Sequence, residues 1–164
     1  MFPGKKRNNQ SGIKLAVIGA GEMGMKHATI IKHLHRCQLV GVCDVNPAIR
    51  SLAGKLGVEF YSDYEKMIMT EEPDGVIIAT PTILHASIGM TCAQHGVNLF
   101  VEKPIASDLL GAKKLVKSAR EYGVKLLVGH HRRFNSIVET ARLTIRQGKI
   151  NSENCIMKNI EAKA

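Results

Sequence analysis

Six short β-rich runs alternate with stretches of helical periodicity along this chain, and that alternation leaves few folds open. The runs are 14–20 (KLAVIGA), 38–44 (QLVGVCD), 58–61 (VEFY), 75–80 (GVIIAT), 98–102 (NLFVE) and 125–129 (KLLVG). Most are nearly continuous in apolar residues, as strands buried on both faces must be. Strands of that kind separated by amphipathic helices predict an α/β domain with a doubly wound parallel sheet. Right-handed crossovers then favour the strand order 3-2-1-4-5-6.

Two of the helical stretches are well marked. Over 108–122, Asp108 is a candidate N-cap, and Leu109, Ala112, Leu115, Val116 and Ala119 are read as one apolar face ended by Gly123. Over 136–147, Ile137, Val138, Ala141 and Ile145 are spaced for one face. After Gly148 neither strand nor helix periodicity continues. The expected organisation is a flexible basic tail over 1–12, one folded domain over 13–149 and a tail over 150–164.

Composition narrows the partners. A chain of 164 residues builds one sizeable core, and 45% hydrophobic with 23% charged residues excludes a collagen-like or mostly disordered chain. The apolar runs fall far short of the ~20 residues that span a bilayer. The net charge of +9 is concentrated at the ends. Lys5, Lys6 and Arg7 open the chain, and cations again outnumber acids beyond residue 130. Aromatic residues are 4% and Trp is absent, so the stacking platforms of a nucleic-acid binder are missing. An anionic small ligand, or no charged partner at all, is the expectation, with no nucleic acid and no membrane.

The first dozen residues do not read as a secretory signal. The cysteines at 37, 43, 92 and 155 form no CxxC and no zinc spacing, so no metal site is expected. Cys43 in a strand and Cys92 in a helix read as buried free thiols of a reducing compartment, the cytoplasm.

The first strand runs into Gly19-Ala20-Gly21-Glu22-Met23-Gly24, a G-x-G-x-x-G between strand and helix. Gly19 permits the tight turn, Gly21 lets the backbone approach a pyrophosphate, and Gly24 lets the helix pack on the strand. The N–H groups opening the helix, around Glu22 and Met23, face an anion. A glycine turn of this kind can also be purely structural. Here Asp44 ends the second strand 20 positions past Gly24, placed to accept from the ribose hydroxyls of a dinucleotide. The reading is therefore a Rossmann fold that binds a nicotinamide dinucleotide. Its carboxylate repels a 2′-phosphate, and Val45, Asn46 and Pro47 offer no cation, Arg50 being the nearest. NAD is expected in preference to NADP.

In a parallel sheet the carboxyl ends of all strands share one rim, where ligands bind. Thr80-Pro81-Thr82-Ile83-Leu84-His85, Glu102-Lys103-Pro104 and His130-His131-Arg132-Arg133-Phe134-Asn135 all follow strands and converge there with the glycine turn. Plainer readings exist for some of them. His85 could cap the following helix, and Arg132 and Arg133 could form a solvated turn. His130 and His131, adjacent on a strand, point to opposite faces and cannot share an ion. His33 and His35 read as surface residues.

GAGEMG with His27 three residues on, Asp44, ATPTILH, VEKPIA and GHHRRFN together resemble the glucose–fructose oxidoreductase / inositol dehydrogenase (Gfo/Idh/MocA) family over about residues 13–150. The resemblance implies an NAD(P)-binding N-terminal domain of a dehydrogenase that acts on CH–OH groups of sugars, polyols or sugar acids. It implies Lys103 as the catalytic residue beside nicotinamide and substrate. The Glu102–Lys103–Pro104 turn, often with a cis proline, becomes part of the cofactor site. It further implies Thr80, Pro81 and His85 along the cofactor, and Arg132 and Arg133 near the junction with a second domain. The family's acid/base pair, an Asp and a His on one helix of that second domain, has no counterpart in these residues, so the C-terminal substrate domain reads as absent. The chain reads as an N-terminal fragment, a naturally shortened product or half of a split protein, inactive by itself, with a homo-oligomer or a missing half as its partner. A non-catalytic NAD(P)-binding sensor is the other expectation.

Overall fold

The computed structural model describes residues 12–130 and 135–148. The chain divides into two compact units, Met1–Gly129 and His130–Ala164. Arg132, Arg133 and Cys155, the N-terminal tail before Gly12 and the tail beyond Gly148 lie outside the described residues.

The first unit alternates strands and helices: β1 (Ile13–Ile18), α1 (Glu22–Lys32), β2 (Cys37–Cys43), α2 (Ile49–Lys55), β3 (Glu59–Tyr61), α3 (Tyr64–Glu71), β4 (Gly75–Ile78), α4 (His85–Gln94), β5 (Asn98–Val101), α5 (Leu109–Glu121) and β6 (Leu126–Val128). A short 3-10 turn, Thr82–Leu84, leads into α4. All six strands pair in parallel, in the order β3-β2-β1-β4-β5-β6. This is the expected doubly wound sheet, a Rossmann fold. No helix among the described residues is long and apolar enough to cross a membrane.

Strand alternation splits the core into two layers. Ala16 and Ile18 of β1, and Val76 and Ile78 of β4, face α3, α4 and α5, where Met67, Ile88, Cys92 and Leu115 complete the packing. Val17 and Ile77 face the other way, toward Ala28 and Ile31 of α1 and Ala53 of α2. A strand buried on both sides cannot alternate apolar with polar, and so these runs read as continuous hydrophobic stretches.

Helix α5 begins as expected: Asp108 accepts from the Gly111 N–H at 2.7 Å, a bond that holds its carboxyl below the usual range. Its apolar face needs correction. Leu115 and Ala119 are buried, but Leu109 is 70% exposed. Six residues of helix turn Leu109 about 120° away from Leu115, outside the buried stripe. The second unit contains α6 (Ser136–Arg146), capped by Asn135 through the Ile137 N–H. Ile137, Val138, Ala141 and Ile145 lie on this helix as expected, and all four are exposed.

Cys43 and Cys92 are buried free thiols, while Cys37 is half-buried. Burial pushes both buried thiols from an ordinary 9.0 up to about 12. Iodoacetamide at pH 8 is expected to modify Cys37 in the native chain and to spare Cys43 and Cys92, as read by peptide mass spectrometry. Rapid labelling of either buried thiol in the folded protein would contradict the packing. The same shifts bear on stability. Below pH 9 the thiols are protonated folded and unfolded, and their contribution is intact. As pH rises from 9 toward 12 only the unfolded thiols ionise, so stability falls across that window.

Candidate functional site

The turn after β1 has the geometry of an anion cradle. Gly19 has φ +87°, and its N–H donates to the Cys43 carbonyl at 2.8 Å. A side chain there would also meet the backbone of the neighbouring strand end, 2.6 Å from the Thr80 nitrogen. At Gly24 a Cβ would overlap the Gly19 carbonyl oxygen, so the helix can sit this close only without a side chain. Around Gly21 there is open space: a Cβ would meet nothing within 4 Å.

Gly21 occupies the N-cap position of α1, and no side chain caps the helix. The first-turn N–H groups of Glu22, Met23 and Gly24 have no intrahelical acceptor. They face the helix entrance with the positive end of the dipole behind them. The Glu22 side chain is turned along the helix to Lys26 at 2.6 Å, and that cation lowers its carboxyl. Glu22 and Met23 therefore offer their backbone to the cradle.

Asp44 stands beside this turn, just past β2. Its Oδ2 accepts from the Ala20 N–H at 2.6 Å and its Oδ1 from the Asn46 N–H at 2.8 Å. Each oxygen keeps a further acceptor position for a hydroxyl. The nearest cation in sequence, Arg50, lies over the Phe60 ring at 5.0 Å. Its guanidinium is engaged with that ring, and Val45 beside Asp44 is 91% exposed and apolar. This arrangement suits two free ribose hydroxyls and opposes a 2′-phosphate.

The ends of β4 and β5 complete the rim. Thr80 follows β4, and its Oγ1 is buried with no hydrogen-bond partner. Pro81 beyond it is exposed. Lys103 follows β5 with its side chain exposed, joined to Pro104 by a cis peptide bond. His85 and Glu102 sit beneath these residues rather than on the rim. His85 is 1% exposed, with Nδ1 2.9 Å from the Pro104 carbonyl and Nε2 2.8 Å from the Thr80 carbonyl. Glu102 is 8% exposed; its Oε1 lies 2.7 Å from His27 Nε2, and its Oε2 accepts from the Lys103 N–H at 3.2 Å.

The structure thus brings Gly19, Gly21, Gly24, Asp44 and Thr80 to one rim, with Lys103 at the end of the next strand. The partnership of His27 with Glu102 escaped the sequence reading. One signal pointed to it: His27 follows Gly24 by three positions, so it shares the helix face that packs on the sheet. His33 and His35 are exposed, as expected. Among the described residues no group of His, Cys, Asp and Glu is arranged to hold a metal ion.

An open glycine cradle at an uncapped helix, a carboxylate beside it and an orphaned buried hydroxyl at Thr80 fit a dinucleotide laid across the strand ends. Comparison with known proteins agrees. The model of the oxidoreductase family with an NAD-binding Rossmann fold, Gfo/Idh/MocA, matches residues 13–130. The scyllo-inositol 2-dehydrogenase (NAD(+)) of Bacillus subtilis is 33% identical over 142 residues, 84% of this chain and 41% of that protein. The 2,7-anhydro-N-acetylneuraminate hydratase of Mediterraneibacter gnavus is 32% identical over 135 residues, 82% of this chain and 36% of that protein.

Among solved structures, scyllo-inositol dehydrogenase from Lactobacillus casei with bound NAD(H) and scyllo-inositol superimposes with a TM-score of 0.79 at 30% identity. That match covers 86% of this chain and 43% of the other. The chain spans less than half the length of these relatives. Its glycine turn, its sheet order and the family match over 13–130 agree: the chain belongs to the Gfo/Idh/MocA oxidoreductase family, and what it contains is the family's NAD-binding Rossmann domain.

Proposed function

We propose that this chain is the NAD-binding half of an oxidoreductase that acts on the CH–OH group of a sugar, polyol or sugar acid. The observation that carries the proposal is the placement of Lys103. It is an exposed amine at the end of β5, on the rim that starts with the pyrophosphate cradle. Two of the relatives reported above are inositol dehydrogenases by name, which supports the substrate class.

Bound NAD supplies the hydride acceptor. The chain's own residues bind and orient. The first-turn N–H groups of α1 take the pyrophosphate, and Asp44 accepts from the adenosine ribose. Thr80 and Pro81 flank the middle of the site. Lys103 donates to the substrate hydroxyl and favours loss of its proton. A lysine alone leaves the proton without a base to receive it, and general acid–base catalysis is worth roughly 10²–10⁴-fold. The 164-residue chain by itself is therefore proposed to bind cofactor with little or no turnover.

Two measurements on one preparation test this. Calorimetric titration is expected to show NADH binding about tenfold or more tighter than NADPH, ~1.4 kcal/mol, with the gap narrowed in Asp44→Ala. Absorbance at 340 nm with NAD and a panel of inositols, sugars and sugar acids should stay flat. Equal affinity for the two cofactors would remove the role given to Asp44. Robust turnover that vanishes in Lys103→Ala would show that the chain holds a complete catalytic site.

A further inference from the structure

The end of β5 is gripped from both faces of the sheet, by a histidine on each side. From the α4 side, the buried His85 ring lies between the β4 and β5 loops, one nitrogen against the Pro104 carbonyl and the other against the Thr80 carbonyl. From the α1 side, His27 meets Glu102 at 2.7 Å, with side chains 18% and 10% exposed. The His27 ring also stands edge-on to Phe100, centroids 5.3 Å apart and planes 65° apart, which limits its rotation. Glu102 passes the constraint on: its other oxygen accepts from the Lys103 N–H. A buried carboxylate is costly to leave unsatisfied, so Glu102 keeps the one orientation that serves both partners.

We propose that His27, acting through Glu102, is a positioning residue that aims Lys103 at the nicotinamide end of the site. The proposal rests on the reading of Lys103 given above. His27 belongs to the same helix whose N-terminus forms the pyrophosphate cradle. One rigid element therefore registers the lysine turn against the cradle, and the distance between the two ends of the cofactor is set by α1. His85 holds Pro104 from the opposite face, so the turn cannot pivot away when Glu102 is fixed.

The test compares NADH with ADP-ribose, which carries the same pyrophosphate and adenosine but no nicotinamide, on the full chain. Lys103→Ala is expected to weaken NADH about tenfold and leave ADP-ribose unchanged. His27→Phe, which keeps a ring against Phe100 but cannot reach Glu102 with a polar atom, should reproduce that nicotinamide-selective loss. The double variant should bind NADH no more weakly than Lys103→Ala alone. His27→Gln, whose amide can donate to Glu102, should recover most of the affinity.

Equal loss for both ligands in His27→Phe, or losses that add in the double variant, would overturn the proposal and leave His27 as a fold-supporting residue. If Lys103→Ala leaves NADH affinity unchanged, the reading of Lys103 itself fails and the inference falls with it. Should His27→Phe not fold, Glu102→Met, which has no oxygen or nitrogen to offer His27 or the Lys103 N–H, takes its place; it is expected to show the same selective loss, and equal loss on both ligands or no loss on either would again decide against the proposal.

Discussion

Gly21→Val is expected to yield a folded chain that no longer binds NADH. The backbone at Gly21 is extended, with φ −64° and ψ −168°, which a β-branched residue adopts without strain. Nothing lies within 4 Å of a Cβ at this position, so the native packing is undisturbed. The cost to the fold is that of a poor N-cap in place of Gly, on the order of 1 kcal/mol. On the function proposed above, the space the side chain fills is the space a pyrophosphate needs in order to reach the first-turn N–H groups. Affinity for NADH should fall by at least ~100-fold, equivalent to about 2.7 kcal/mol. Calorimetry, with circular dichroism and a melting curve on the same sample, checks both halves. Undiminished binding would mean that the ligand does not cross this turn.

Gly24→Ala, the smaller substitution three residues on, should do the opposite and damage the fold itself. Its Cβ would overlap the Gly19 carbonyl oxygen and press on Val17 Cγ1 at 3.3 Å. Both are atoms of the β1–α1 unit around which the sheet is ordered, and a backbone carbonyl cannot swing aside as a flexible side chain can. Either α1 moves off β1, uncovering Ala28 and Ile31, or the turn at Gly19 distorts. A destabilisation of roughly 3 kcal/mol or more follows, large enough to lower Tm by about 10 °C. A melting temperature within a degree or two of the parent would show that the helix is not pinned to the strand here. The pair of substitutions separates two parts of one motif, since open space lies over one glycine and the protein's own backbone over the other.

Much of this was readable in the chain because its signals are local. The sheet order follows from right-handed crossovers applied to strands found by apolar runs, and β3-β2-β1-β4-β5-β6 is the order those rules favour. The caps at Asp108 and the turn at Gly19 are choices made within a few residues. The runs overshoot the strands at their ends. Thr80 and Glu102 follow β4 and β5 rather than close them: the paired register ends at Ile78 and Val101, and the Glu102 N–H makes one more bond across, to the Ile78 carbonyl. Leu109 shows a different limit: spacing places it near an apolar face, but only packing against other elements says which part of that face is covered.

The amino-acid sequence by itself determined the doubly wound fold, the glycine cradle and the acidic residue beside it. Each depends on periodicity or on residue types within one strand–turn–helix unit, and backbone sterics make those choices legible. Only the tertiary structure decided how the rim is supported. His27 and Glu102 are 75 positions apart, and His85 meets a carbonyl 19 positions away. No periodicity links such residues. They become partners because the parallel sheet gathers the strand ends at one edge and leaves buried polar groups there that must satisfy one another. The same gathering set Asp44 on the Ala20 N–H and drew Arg50 onto Phe60.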